Sequence, residues 1–138
     1  MNRVAIIGDV HGCLDELATL VSMLEHSSID SIWHLGDLVD RGPDSGGVVR
    51  FCMEKKIEGV LGNHESTILS LYSGVKAGTK NAAPDKLRTI SQLGEAEISY
   101  LEKLPLLHVF DDLEAVIVHA GLEPILPPWT SNMHKHHA

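Results

Sequence analysis

Short apolar runs ended by glycine alternate with stretches of helical periodicity through the first two-thirds of the chain. Val4 to Ile7 is one such run and stops at Gly8, which predicts a buried strand. Leu14, Leu17, Ala18, Val21 and Leu24 then recur at helical spacing. Ile32 to Leu35 predicts a second strand, ended by Gly36, and a helix follows from Ser45 to Lys56. Ile57 to Leu61 predicts a third strand ended by Gly62, then a helix from near His64 to Tyr72 with Gly74 as its stop. The segment from Gly74 to Pro84 reads as a loop, and Glu95 to Leu104 as a helix closed by Pro105. Leu107 to Phe110 and Leu113 to Val118, separated by Asp111 and Asp112, predict a hairpin that Gly121 follows.

Strand, helix, strand, helix, strand implies an α/β fold with parallel strands and crossover helices. Ligands of such sheets sit outside the carboxyl ends of the strands. Those ends read Gly8-Asp9, Gly36-Asp37, Gly62-Asn63 and His119-Ala120-Gly121, so four potential ligand segments converge on one rim. Carboxylate, imidazole and amide oxygen form a mixed donor set that suits manganese, iron or zinc better than calcium or magnesium. Asp9 and His11, two apart in a turn, can face one ion. Taken singly, each residue has a plainer reading. Asp9 and Asp37 would be turn residues or helix caps, Asn63 an N-cap, and His119 a core histidine. The recurrence of four glycine-marked strand ends, in order, carries the site.

Composition narrows the partners. The 138 residues suit one domain, and with 43% hydrophobic but only 4% aromatic residues the core must rest on Val, Ile, Leu and Ala. Eleven Lys and Arg against nineteen Asp and Glu give a formal charge of −8, which excludes general nucleic-acid binding. Cys13 and Cys52 form no C-x-x-C pair, so a reducing compartment is expected. No apolar run approaches bilayer length and the chain opens directly on a strand pattern, so the expectation is a cytoplasmic protein without a membrane partner.

The segments GDVHG (Gly8–Gly12), GDLVDRG (Gly36–Gly42), GNHE (Gly62–Glu65) and HAG (His119–Gly121) resemble the calcineurin-like metallophosphoesterases, in particular their phosphoprotein phosphatase branch. The resemblance runs from Val4 to Pro124 and implies a sandwich of two mixed β-sheets flanked by helices. It implies a metal-dependent phosphoester hydrolase with two divalent ions, manganese first and iron or zinc as alternatives, and a bridging hydroxide as nucleophile. By the same resemblance Asp9 and His11 bind the first metal, Asp37 bridges, and Asn63 and His119 bind the second. His64 is the general acid, Asp40 its partner, and Arg41 grips the phosphate together with Asn63 and His64. Glu65 is given at most a supporting hydrogen bond. Cys13 is read as a core residue at a helix start rather than a nucleophile, and His34 as structural. His26 and His108 have no motif context. The substrate implied is a phosphoprotein cleaved in the manner of a serine/threonine phosphatase, with a symmetrically cleaved bis(5'-nucleosyl) tetraphosphate as the alternative.

Members of the family continue past HAG to a further ligand histidine and a second arginine, and no such segment follows Pro124 here. Three expectations stand side by side. The chain is a fragment of a longer phosphatase; or a small variant in which water, a partner chain or His134, His136 or His137 replaces the missing ligand; or a degenerate, non-catalytic metal-binding module. Residues 1–126 are assigned to the domain and 127–138 to a disordered tail. The second sheet is expected to be incomplete, its apolar face exposed or covered by a homo-oligomer. A nucleotide-binding Rossmann domain is excluded because no Gly-x-Gly-x-x-Gly follows the first strand.

Overall fold

A computed structural model describes residues 3–122, and the expected 127–138 tail, with His134, His136 and His137, lies outside the described residues. The first sheet is parallel with strand order β1-β2-β3, built from β1 (Val4–Ile7), β2 (Ser31–His34) and β3 (Glu58–Gly59). Helices α1 (Leu14–Glu25) and α2 (Ser45–Lys55) are the crossovers, as the alternation predicted. The second sheet holds an antiparallel pair among the described residues: β4 (Leu107–Phe110) and β5 (Ala115–Val118), joined through a 3₁₀ turn at Asp111–Leu113. This is the α/β arrangement that the alternation predicted, with two strands of the second sheet among the described residues.

Local chemistry explains the boundaries. Asp44 caps α2 by accepting the Gly47 N–H at 2.7 Å. Lys56 ends that helix in the left-handed region. The third strand is shorter than the Ile57–Leu61 run because the chain beyond Gly59 turns toward the Gly62 loop, where Leu61 N–H bonds Pro105 O at 2.7 Å instead of β2. Helix α3 (Asn63–Lys76) runs through Gly74, the expected stop. A lone glycine costs a helix only about 1 kcal/mol, and the buried face of α3 carries the helix past it. Residues 84–91, unassigned by pattern, form α4 (Pro84–Ser91), followed by α5 (Glu95–Glu102). Proline at N1 and Asp85 in the first turn are start signals that mark α4 in retrospect.

The core is aliphatic, as composition required. Leu17 and Val21 of α1, Val48, Val49 and Cys52 of α2, Ile68 of α3, Ile90 of α4 and Leu101 of α5 close over Leu38 and Val39 from the loop after β2. Two cavities, about 540 and about 900 Å³, flank the stack of Trp33 on His108 between sheet and hairpin. Neither includes a residue of the ligand rim. The hairpin strands are half-buried along most of their length, and Leu106 beside them is 74% exposed.

His34, read as structural, is 1% exposed at the end of β2. Its Nδ1 accepts the Gly36 N–H at 3.1 Å, and its Nε2 lies 3.1 Å from Tyr100 Oη, which donates to Ile57 O at 2.9 Å. Burial lowers its pKa from 6.5 to about 4, so the folded ring is neutral. Because the folded value is the depressed one, the stability this ring contributes is present above pH 6.5 and lost as the pH falls toward 4. The loss amounts to about 3 kcal/mol. Urea denaturation from pH 7 to 4 should show that decline in the wild type, and a His34→Gln variant should lack that portion of it.

Candidate metal centre

The four loops at the carboxyl ends of β1, β2, β3 and β5 meet at one point. The loop after β2 and the loop after β3 touch backbone to backbone. A Cβ on Gly36 would stand 2.5 Å from Gly62 N, so no larger residue fits between them. A Cβ on Gly42 would meet His11 O at 2.0 Å, which locks the GDLVDRG loop against the first turn after β1. Between these loops, Glu65 is fully buried and reaches back from the first turn of α3. Its Oε2 accepts Asp37 N at 2.8 Å and Gly62 N at 2.9 Å, and its Oε1 accepts Leu38 N at 2.7 Å and Val39 N at 3.1 Å. Burial raises this carboxyl above its ordinary value against the pull of the Asp37, Val39 and Leu38 N–H groups, and the nearby Asp37 charge adds to the rise. Four N–H donors on two oxygens leave no place for a carboxyl proton, so the geometry is that of the anion.

Asp37 is 4% exposed and stands at the centre. Its Oδ2 is 3.7 Å from His11 Nε2 and 4.0 Å from His64 Nε2, and its Oδ1 is 3.4 Å from His119 Nε2. Asp9 Oδ2 is 3.8 Å from His11 Nε2. Three residues including Asp37 gather twice, as Asp9, Asp37 and His119 and as His11, Asp37 and His64, with ligand atoms within 4.8 Å of one another. Asn63 Oδ1 lies 2.8 Å from His119 Nε2. Asn63, expected as an N-cap on its local reading, is instead the first residue of α3, Gly62 being the cap.

The far sides of the rings decide which nitrogens face inward. His11 Nδ1 sits 2.9 Å from Val39 O, and His119 Nδ1 sits 2.7 Å from Leu35 O. A carbonyl only accepts, so each Nδ1 carries the proton and each Nε2 presents a lone pair. His119 Nε2 and Asn63 Oδ1 are then two acceptors at 2.8 Å, and the carboxylate oxygens around them are acceptors too. Two donor atoms about 2.1 Å from one shared ion stand about 3–4 Å apart. The spacings of 3.4 to 3.8 Å among Asp9, His11, Asp37 and His119 therefore match ligands of cations. The residues present thus fit divalent cations, with Asp37 common to both clusters.

His64 differs from its neighbours. Its Nδ1 is 2.8 Å from Asp40 Oδ2, and its ring meets His11 edge to face at 4.8 Å. Asp40 is 1% exposed, and its N–H donates to Ser45 Oγ at 2.9 Å. Burial raises the Asp40 pKa, but hydrogen bonds from Lys86, Thr89 and His64 outweigh it, so the carboxyl lies below its ordinary value. Arg41 is exposed on the rim beside it. Cys13 is half-buried, with its Sγ 3.8 Å from His11 O. A cavity of about 340 Å³ opens beside Asn63 and His119, lined also by Leu61, Ser66, Leu106 and Val118. Sequence reasoning missed Lys86 and Thr89, and gave Glu65 too small a part.

Residues 2–136 match the model of the calcineurin-like phosphoesterases. The chain belongs to that family. A symmetrical bis(5'-nucleosyl)-tetraphosphatase of Pectobacterium carotovorum is 39% identical over 124 residues, which are 86% of this chain and 43% of that protein. The Edwardsiella ictaluri protein of the same name is 40% identical over the same span and share. The crystal structure of a candidate diadenosine tetraphosphatase superposes with a TM-score of 0.78 at 31% identity, covering 92% of this chain and 54% of the other. The chain thus spans less than half the length of the curated relatives it matches.

The Glu65 anion suggests a direct test of how the centre is assembled. Glu65→Gln keeps the shape but turns an NH₂ donor toward N–H donors that have no other partner. Urea denaturation should show a loss of about 3 kcal/mol, at the upper end of what unsatisfied buried polar groups cost.

Proposed function

We propose that the chain hydrolyses phosphoesters at two divalent metal ions, and that its substrate class is the bis(5'-nucleosyl) polyphosphates. The observation that carries the chemistry is the set of lone pairs aimed at one another across 3.4 to 3.8 Å around Asp37. Asp9, His11 and Asp37 would hold one ion; Asp37, Asn63 and His119 would hold the other. Two such ions supply an activated water and neutralise charge on the phosphoryl oxygens. Manganese is the reading for their identity, from the mixed oxygen and nitrogen donors.

The residues do the rest. Asp37, common to both ligand clusters, would contribute to holding either ion. Arg41, on the rim, matches two phosphate oxygens with its planar fork. His64 gives its Nε2 proton to the departing oxygen, while Asp40 holds Nδ1 and so fixes the ring's orientation. A purely structural metal module has no use for His64, Asp40 and Arg41, and their joint presence favours hydrolysis. The names of the relatives favour a dinucleoside tetraphosphate over the phosphoprotein that the motifs first suggested.

Manganese-dependent cleavage of diadenosine tetraphosphate, followed by chromatography, should yield ADP as the sole nucleotide product. Faster phosphate release from a phosphoserine peptide would overturn the substrate class. Asp37→Asn should abolish metal-stimulated turnover of p-nitrophenyl phosphate and weaken manganese binding in calorimetry. Turnover in Asp37→Asn equal to the wild type would overturn the metal mechanism. His64→Asn should keep its manganese and lose about 10²–10⁴-fold in kcat, the usual contribution of a general acid.

A further inference from the structure

We propose that helix α4 is a positioning element for proton transfer at this site, with Lys86 as its principal residue; this rests on the hydrolytic reading above. Asp40 is buried, and both of its oxygens are engaged from outside its own loop. Oδ1 accepts from Thr89 Oγ1 at 2.5 Å, and Oδ2 accepts from His64 Nδ1 at 2.8 Å and from the Lys86 ammonium. Lys86 and Thr89 are three residues apart on α4, so one face of one helix delivers two donors to one carboxylate. The Lys86 side chain is only 19% exposed, so its ammonium is enclosed beside Asp40, with the exposed Asp85 carboxylate 3.6 Å away as its other neighbour. Arg88 of the same helix donates to Arg41 O at 3.1 Å. The helix therefore holds both members of the Asp40-Arg41 corner, whose φ values of 69° and 63° are left-handed.

This arrangement answers a charge problem. A buried carboxylate needs a permanent counter-charge. Were His64 its only partner, passing the Nε2 proton to the departing oxygen would strip Asp40 of that charge in the same step. The N–H bond breaks, an O–H bond forms on the leaving group, and the ring ends neutral. Lys86 stays positive throughout, so Asp40 remains compensated while the ring gives up its proton. With Lys86 and Thr89 fixing both oxygens, the carboxylate cannot rotate, and the His64 ring keeps Nε2 facing Asp37.

The test compares Lys86→Met and Lys86→Arg with the wild type in the full, manganese-loaded chain, on two substrates. The p-nitrophenolate of p-nitrophenyl phosphate departs with little help from an acid, whereas the phenolate of phenyl phosphate needs the proton more. In Lys86→Met, kcat for phenyl phosphate should fall about tenfold further than for p-nitrophenyl phosphate, with KM unchanged and Lys86→Arg restoring most of the loss. An equal loss on both substrates, or a raised KM with kcat intact, would overturn the proposal. The second readout needs no turnover. The downfield Nδ1 proton of His64, recorded on the metal-free chain and identified in NMR spectra by its absence from His64→Gln, should be sharp in the wild type and in Lys86→Arg. It should broaden or move upfield in Lys86→Met, and an unchanged resonance there overturns the role of Lys86 even if no form of the protein hydrolyses anything. Absence of metal-stimulated turnover in the wild type counts instead against the hydrolytic reading. Should Lys86→Met fail to fold, Thr89→Val removes the donor to Oδ1 and carries the same comparison.

Discussion

One buried carboxylate holds the rim together. Glu65 collects four backbone N–H groups, three from consecutive residues after β2 and one from Gly62 after β3. Those N–H groups lie beyond the strands, where no ladder partner exists, and a buried N–H without a partner is costly. By meeting all four, Glu65 fixes the distance between two loops that are joined by no strand pairing at that level. Asp37 belongs to one loop and Asn63 and His64 to the other. Glu65 thus helps set their relative placement without itself standing among the candidate ligands, and the His64 N–H on Asp37 Oδ1 at 3.2 Å adds a second link between the two loops.

The charges around it follow from that choice. Glu65 and Asp37 are both buried, and their backbone contact brings two anions close enough that the Asp37 charge raises the Glu65 carboxyl. Asp9 adds a third negative group and Asp40 a fourth. Among the described residues, Lys86 compensates Asp40 directly, but no Lys or Arg ion pair is formed by Asp9, Asp37 or Glu65. A cluster of acids with inward lone pairs is stable only beside cations. The same negative potential would attract divalent ions and repel a phosphate in their absence.

The strand and helix alternation, the parallel first sheet and the convergence of Asp9, His11, Asp37, Asn63, His64 and His119 were all legible in the chain, because glycine-ended apolar runs report strand ends directly. What pattern could not supply was set by tertiary contact. Gly74 failed as a stop because packing carried α3 across it. Helix α4 was invisible because eight residues with an apolar face of Ile90 and half-exposed Leu87 leave little periodicity to read. With α4 unseen, Lys86 and Thr89 had no address, and Asp40 was left with His64 alone. Glu65 was undervalued for a different reason: a glutamate at the third position of a helix looks like half of a capping box. Here both of its oxygens also serve a loop 26 to 28 residues away.

Backbone strain ties these parts to function. His11, Asp37, Asp40 and Arg41 all have positive φ, at 46°, 52°, 69° and 63°. Histidine and aspartate tolerate that region better than most side chains, which is one reason such residues suit tight ligand-bearing turns. Arginine has no such advantage, and each residue held there costs about 1–3 kcal/mol unless its surroundings impose it. For Arg41 the surroundings are identifiable. Gly42 is pressed against His11 O, Asp40 is held by Ser45 and Thr89, and Arg88 bonds the Arg41 carbonyl. The same turn leaves the Arg41 side chain exposed next to buried Asp40. The conformational cost at Asp40 and Arg41 and the grip of α4 on the same two residues are thus opposite sides of one arrangement.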